Sequence, residues 1–442
     1  MASISSLGVG SGLDIASLVS QLVAAERAPT QNRIDTSQSR INVQLSAIGT
    51  FKGALADVRS KLETLQSGAL AGLKASSSKT ETFTATAADG AVVGDYQVEV
   101  VSLARAHKMV SGAYADGAGT VLANGDVEIS VGGEPFTVTL GDGNNTLEDL
   151  RRMINESADN TGVSATLINE AGGTRLMLTA WDTGTARQIA VTGMAFSEQQ
   201  AAADAHVRIE GFDHYASSNT VTDAIDGLTL KLVAAEPGVS HTLSVGHDAE
   251  AAQKAVTAFV NAYNAAVKTI GSLTRYNADT RQAAALTGDS TVRGAMQALR
   301  GVIGSGNGTG TFRFLSDIGI STQTDGTLKL DTQALTDALA SDRSAVVTLL
   351  DGEGGYAERL AAVLDNVVGD DGQVETRTDS LQARLKDLGR QQDALNLRME
   401  QVENRYRSQF TALDTLVAQM NSTSSYLTQQ LASLANLTTQ NK

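Results

Sequence analysis

The stretch RIDTSQSRINVQLSAIGTFKGALADVRSKLETL, residues 33–65, places Ile34, Ile41, Ile48, Leu55 and Leu62 at intervals of seven, and Phe51, Val58 and Leu65 fill the other half of the heptad in its later turns. An apolar residue at every seventh position returns to one stripe of an α-helix, and such a stripe must be covered by another helix. At the far end of the chain Leu381, Leu388, Leu395 and Val402 keep the same period, interleaved by Leu385, Met399, Tyr406, Leu413, Met420, Leu427 and Leu434 on the second seam position. No proline follows Pro237, so the spacing predicts one helix from about residue 374 to 434, roughly 90 Å long. Ordinary helices span about 11–12 residues, so the two stripes read as a coiled coil or an extended bundle face. Pairing them with each other leaves the middle of the chain as an insertion and brings both termini to one end of a rod.

The ends themselves are polar but almost uncharged. Residues 1–25 hold only Asp14 as a charged side chain, and between Arg407 and Lys442 only Asp414 is charged. Ser11 with Asp14 fits a capping box ahead of a helix whose Ile15, Leu18, Val19, Leu22 and Val23 share one face, and Pro29 is expected to interrupt that helix. Apolar faces without flanking charge do not keep a lone helix soluble or locked in register. Both ends therefore read as mobile segments that become ordered inside a partner assembly.

From about residue 76 to 245 the period falls to two, as in Tyr96-Gln97-Val98-Glu99-Val100, Phe136-Thr137-Val138 and Leu228-Thr229-Leu230-Lys231-Leu232. Gly, Asp and Asn separate these runs, which predicts antiparallel β structure. One helix opens near Thr146, with Glu148 and Asp149 in its first turn and Leu147, Leu150 and Ile154 on its face, giving a ββαββ unit over about residues 126–180. Helical spacing returns through Val256, Phe259, Val260, Tyr263, Val267 and Ile270, and again through Val292, Met296 and Leu299. Ile318-Gly319-Ile320 and Leu328-Lys329-Leu330 then flank Asp325-Gly326, a two-residue hairpin signal, and Asp331 is placed to cap the next helix.

Composition narrows the functions. The 442 residues carry 34 Lys+Arg against 49 Asp+Glu, a net charge of −15, and no Cys. Zero Cys excludes disulfides, thiolate zinc sites and cysteine nucleophiles, and the acidic balance argues against nucleic acid or anionic lipid as main partner. No run approaches the roughly 18 apolar residues of a membrane span, and the first basic residue is Arg27, so no secretory leader is expected.

Catalytic readings are weak. The run Gly304-Ser305-Gly306-Asn307-Gly308-Thr309-Gly310 is not followed by Lys-Ser or Lys-Thr, and reads as a flexible loop. Asp142, Asn144 and Thr146 have the spacing of the start of a calcium loop, but Leu147 stands where Gly is required, so a turn leading into a helix cap is expected. The histidines His107, His206, His214, His241 and His247 show no helical pair spacing, and surface or strand-edge positions are expected for them. No catalytic residue, cofactor site or metal site is assigned, and the chain reads as no enzyme.

The opening Ser6-Leu7-Gly8-Val9-Gly10-Ser11-Gly12-Leu13-Asp14-Ile15, with Leu18-Val19 and Glu26-Arg27-Ala28-Pro29, resembles the N-terminus of flagellar filament cap proteins, the flagellar hook-associated protein 2 family. Residues 91–108, 141–179, 318–331 and Thr423-Ser424-Ser425-Tyr426-Leu427 are similar to further parts of the same family. The resemblance implies an α+β multi-domain fold: long terminal helices forming a coiled-coil or helical-bundle leg, with antiparallel β-rich head domains inserted between them. The expected divisions are residues 1–32, a mobile segment forming a terminal domain with 400–442; 33–75, the N-terminal leg helix; 76–105 with 205–247, a first head domain; 106–204, a second head domain holding the ββαββ unit; and 248–399, the leg bundle with hairpin 318–330.

The resemblance also implies export by the flagellar type III route without a cleaved signal, and an extracellular place at the flagellum tip. A homo-oligomeric cap ring is implied there, templating flagellin incorporation. Its implied partners are the chain itself, flagellin, hook–filament junction proteins and an export chaperone at the C-terminal end, with neither nucleic acid nor membrane insertion. The assembly seam would be Ile34, Ile41, Ile48, Leu55, Leu62, Leu381, Leu388, Leu395, Val402, Leu413, Met420 and Leu427. A surface adhesin binding host glycan or mucin through its β heads is the alternative.

Overall fold

The computed structural model describes residues 14–439 apart from 89, 308 and 309. Ser11, given a capping role above, lies outside the described residues, as do Gly308 and Thr309 of the glycine-rich run and the side chain of Leu434. The chain divides into two compact units, Met1–Ser67 with Ala255–Lys442, and Gly68–Lys254. Eight α-helices are described: α1 (Ile15–Thr64), α2 (Leu147–Glu156), α3 (Ala249–Thr274), α4 (Ser290–Gly304), α5 (Thr332–Ser341), α6 (Arg343–Asp351), α7 (Tyr356–Val368) and α8 (Gln373–Thr439). The long terminal helices and the β-rich insertion between them are thus present as the heptads and the period-two runs require.

Asp14 is itself the N-cap of α1, its Oδ1 accepting the Ser17 N–H at 3.0 Å. The expected break at Pro29 does not occur, and α1 runs through it for 50 residues. A proline inside a helix removes one N–H donor and crowds the carbonyl four residues earlier, a local penalty of about 3 kcal/mol. Contacts to α8 on both sides of the proline outweigh it: the Tyr406 hydroxyl donates to Glu26 Oε2 at 3.2 Å, and Gln31 Nε2 donates to Gln392 Oε1 at 2.7 Å. Pro29→Ala should therefore stabilise the helical unit by about 1–3 kcal/mol. A thermal midpoint unchanged or lowered in that variant would refute this account.

The Gly68–Lys254 unit has two apolar cores. One contains Phe83, Val98, Val100, Val207, Leu230 and Leu243. It involves a five-stranded sheet in the order Leu73–Ser77, Ser240–His247, Gly94–Ser102, Ala205–Ile209, Phe212–Ala216, and a three-stranded sheet in the order Thr220–Val221, Leu228–Leu232, Phe83–Ala87. The other core gathers Ile129, Phe136, Leu147, Leu150, Ile154, Val163, Leu176 and Leu178, which belong to the ββαββ unit. Its first hairpin, Gly125–Val131 with Glu134–Leu140, pairs onward with Ile189–Thr192, whereas its second, Val163–Glu170 with Gly173–Thr183, pairs with Ala106–Ser111. Helix α2 between them opens on a full capping box, Thr146 Oγ1 accepting the Asp149 N–H and Asp149 accepting the Thr146 N–H. The Asp142–Thr146 stretch is thus a turn and a cap, as its spacing suggests without the missing calcium-loop glycine.

Close backbone approach makes one glycine there indispensable. Gly173 has φ +126°, and a Cβ on it would lie 2.3 Å from the Tyr114 carbonyl oxygen. Tyr114 and Thr174 meanwhile exchange both backbone hydrogen bonds at 2.9 Å. Gly173→Ala should cost more than about 2 kcal/mol, from backbone strain plus the broken bridge, and lower the unfolding midpoint of this unit. Calorimetry showing no shift would contradict the placement of Tyr114 against the hairpin.

Histidine placement differs from the surface expectation at one position. His107 is buried, its Nδ1 accepting the Ile189 N–H at 2.9 Å and its Nε2 lying 3.1 Å from Glu198 Oε2. A backbone N–H can only donate, so the neutral ring carries its proton on Nε2 and donates it to Glu198. Satisfaction at both nitrogens is what lets a strand histidine sit inside.

In the helical unit the hairpin is Ile320–Thr322 paired with Leu328–Leu330. Its turn is longer than two residues: the Gln323 N–H donates to the Thr327 carbonyl at 2.7 Å and the Gly326 N–H to the Gln323 carbonyl at 2.9 Å. Asp325 Oδ1 accepts the Thr327 N–H, and this side-chain closure with Gly326 at φ +84° accommodates Thr324 as a third loop residue. Asp331 caps α5 as its spacing predicts, accepting the Gln333 and Ala334 N–H groups.

Candidate assembly surface

The heptad residues fall into two zones. On α1, Ile34, Ile41, Ile48, Leu55 and Leu62 are all buried, and on α8 so are Leu381, Leu395 and Val402, with Leu388 half-buried. Ile34 packs in one cluster with Leu395, Met399 and Val402, joined by Val23 and Tyr406. The two helices run antiparallel, since Lys52 pairs with Glu375 at 3.0 Å near the start of α8 while Glu26 meets Tyr406 farther along it. Beside this pair, Arg59 bonds Asp365 of α7 at 3.0 Å and Arg377 of α8 bonds Asp289, the N-cap of α4, at 3.2 Å. The half-exposed pairs Lys52–Glu375 and Arg59–Asp365 orient the bundle more than they stabilise it, whereas the Asp289 side chain of the third pair is buried.

A polar layer interrupts the seam, and the sequence reading does not include it. Gln31 and Gln392 exchange hydrogen bonds at 2.7 and 2.9 Å, Arg27 Nη2 donates to Asn396 Oδ1 at 2.5 Å, and Arg27 Nε donates to Gln31 Oε1 at 3.2 Å. The signal for it is a gap in each heptad. Arg27 stands seven residues before Ile34, and Gln392 stands seven after Leu385 and seven before Met399. Matched polar interruptions in two helices mark which turns face each other and fix register.

Beyond this layer the second zone begins. By the antiparallel register, the start of α1 lies level with about residue 410 of α8, which continues for about 29 residues, or roughly 44 Å. Along that extension Leu413, Met420 and Leu427 are 48, 64 and 55% exposed, and Leu416 and Leu431 are exposed on the same side. Spacings of three, four and seven residues put these side chains on one face. Isolated apolar residues on a surface are ordinary, but a contiguous stripe of them marks an interaction face. Farther down α8, hydrogen bonds from Arg390 and Gln391 hold the Asp387 carboxyl below the usual carboxylate range. The extension, by contrast, has Asp414 as its sole charge before Lys442.

Heptad-paired terminal helices, β domains inserted between them and an open apolar stripe on the helix end define an assembly protein. The family comparison is specific within that class: the flagellar hook-associated protein 2 N-terminus matches residues 11–107, its C-terminus matches 202–422, and the flagellin hook IN motif matches 126–181. The chain belongs to the flagellar hook-associated protein 2 family. It is 35% identical to flagellar hook-associated protein 2 of Escherichia coli K12 over 99% of this chain and 100% of that one. It is 32% identical to the B-type protein of Pseudomonas aeruginosa over 97% and 98%. The crystal structure of the D1-D2-D3 domains of the Escherichia coli flagellar cap protein FliD aligns with a TM-score of 0.64 and 31% identity, covering 76% of this chain and 99% of that one.

Proposed function

We propose that the chain is a structural cap at the distal end of a flagellar filament, where copies of it assemble and guide flagellin subunits into place. The observation that carries this reading is the open apolar stripe of α8 from Leu413 to Leu431 on a member of the flagellar cap family. Such a stripe gains about 1.5–3 kcal/mol for each large side chain it buries in an assembly. Guidance of this kind is steric, and needs only that the cap bind different filament states with different affinity. No covalent step is involved, so the chain is no enzyme on this reading.

The same reading assigns residues 76–105 with 205–247 and residues 106–204 to two head domains, and residues 1–32 with 400–442 to a terminal domain that docks at the filament end. The seam named from the heptads then divides its labour. Ile34, Ile41, Ile48, Leu55, Leu62, Leu381, Leu388, Leu395 and Val402 hold the body together, and Leu413, Met420 and Leu427 serve assembly. Self-association in a ring, contact with the hook–filament junction proteins, a chaperone on the C-terminal end before export, and passage through the flagellar export channel complete the proposal. No described helix is long and apolar enough to cross a membrane. The glycan-binding alternative finds no support among the relatives. A deletion strain should release flagellin into the medium and grow no filaments, and the full chain should restore them; normal filaments in its absence would overturn the reading.

A further inference from the structure

Between α3 and α4 lies an open cavity of 620 Å³, walled by Val267, Ile270, Leu286, Val292 and Met296. That volume is in the range of about 300–1,000 Å³ typical of binding sites. Arg293 and Arg300 stand on its rim, exposed, seven residues apart on α4 and so about 10.5 Å apart along the helix. Neither forms an ion pair within 4 Å among the described residues, in a chain whose net charge is −15. The carboxylate lining nearest the N-terminus of α4, Asp289, is already engaged by Arg377 and by its own cap bonds. Asp325 on the opposite side accepts the Thr327 N–H and hydroxyl. At the Arg300 end, the hydroxyl of Tyr263 is buried without a hydrogen-bond partner among the described residues.

We propose that this groove receives an amphipathic helix of the flagellin subunit being placed, its apolar stripe against the cavity wall and two acidic side chains, one or two turns apart, against Arg293 and Arg300. The proposal rests on the cap reading and adds to it a docking site and the chemistry of its occupant. An apolar groove with a charged rim is the usual receptor for a helix of that kind, apolar anchors giving affinity and rim charges giving orientation and on-rate. The chain's own open stripe cannot be the occupant. Arg377 sits at the groove's edge through Asp289, and Leu413 is 36 residues farther along the continuous α8, about 54 Å away. The stripe of a second copy fits poorly too, because with Asp414 as its sole acid it offers one anion for two guanidinium groups.

Because the chain has no cysteine, Met296→Cys gives a single labelling position, and a benzophenone attached there reports what enters the groove. With the full chain and purified flagellin, the expected result is a cross-link to flagellin. Its yield should fall at least tenfold when Arg293→Glu and Arg300→Glu are added, and should fall in 1 M salt, where the screening length shrinks to about 3 Å. Both arginines are exposed, so the doubly reversed chain should keep its circular dichroism spectrum and thermal midpoint. A label at Asp337→Cys on α5 should give no adduct. Cross-linking to a second copy, equal adducts from both labels, or no adduct would each overturn the proposal. Restoration of filaments by the parent chain keeps the two questions apart: growth with the parent chain and no flagellin adduct at position 296 sinks the groove and leaves the cap reading standing, while failure of the parent chain to restore growth sinks the cap reading.

Discussion

Aspartate at both Ile34 and Leu395 should open the α1–α8 pair and abolish filament growth while the Gly68–Lys254 unit keeps its fold. Both side chains are buried in one cluster with Met399 and Val402. Each substitution removes the contacts of a large aliphatic side chain, about 2–5 kcal/mol, and sets a carboxylate where there is no water to solvate it. The two new charges also face each other, and like charges in a partly dry interface cannot both remain ionised without separating the helices. The combined loss is comparable to the whole stability of a domain, about 5–15 kcal/mol. It need not unfold the body, because Leu55, Leu62 and Leu381 stay buried, Lys52–Glu375 remains at the other end of the pair, and Arg59–Asp365 still ties α1 to α7. Limited proteolysis should therefore gain cuts between residues 20 and 40, and calorimetry should show the β unit melting as before. Ile34→Asp with Leu395→Lys should recover part of the lost protection. Protease resistance and motility equal to the parent in the double aspartate chain would refute the role given to this cluster.

The long helices were legible because their signal is periodic and repeated. Ile34 to Leu62 and Leu381 to Val402 each restate the same seven-residue interval, and a tertiary partner was available for both. The ββαββ unit was legible for a different reason: a helix opening near Thr146, with Glu148 and Asp149 in its first turn, and the Gly, Asp and Asn between strands divide the period-two runs into countable pieces. Pro29 misled because proline is a local penalty of about 3 kcal/mol, and whether it breaks a helix depends on what lies across from it. What lies across from it is Gln392, Asn396 and Tyr406, more than 360 residues away in the chain. The burial of His107 was hidden in the same way, since its partners Ile189 and Glu198 come from strands far along the sequence.

The surface that serves assembly was only half legible. Nothing in Leu413, Met420 and Leu427 as residue types separates them from Leu381 and Leu395; all occupy seam positions of one unbroken helix. Their difference is set by where α1 begins relative to α8, a matter of register between distant segments. The gaps at Arg27 and Gln392 encode that register, but a gap becomes informative once both helices are known to pair. The α3–α4 groove gives no sequence signal of its own, because its walls are ordinary apolar faces and its arginines differ from other surface arginines by standing beside a cavity.

Leu416→Asp, Met420→Asp and Leu427→Asp together should leave the free chain as stable as the parent and should abolish its assembly and filament growth. All three side chains are more than half exposed in the single chain, and substitutions at such sites usually change stability by no more than about 0.5 kcal/mol. The helix itself loses a few tenths of a kcal/mol per position from the lower helix propensity of aspartate. Burial in an assembly is another matter. Each Leu or Met withdrawn from water contributes about 1.5–3 kcal/mol, so three lost anchors weaken each contact by roughly 6 kcal/mol, or about four orders of magnitude in its equilibrium constant. Three carboxylates per copy add mutual repulsion wherever copies meet through this face. Light scattering should accordingly show monomer at concentrations where the parent assembles, with unchanged circular dichroism and thermal midpoint, and the variant should fail to restore filaments in a deletion strain. Ser422→Asp, Ser425→Asp and Gln429→Asp add the same charge to the opposite side of the same helix turns, and that chain should still assemble. Two results would show that the stripe is not the assembly face: normal assembly of the first variant, or equal loss in both, which would make total charge rather than the apolar face decisive. A fall in the thermal midpoint of the first variant alone would show instead that the stripe is covered within the monomer, and the docking role of the α8 end would fall with it.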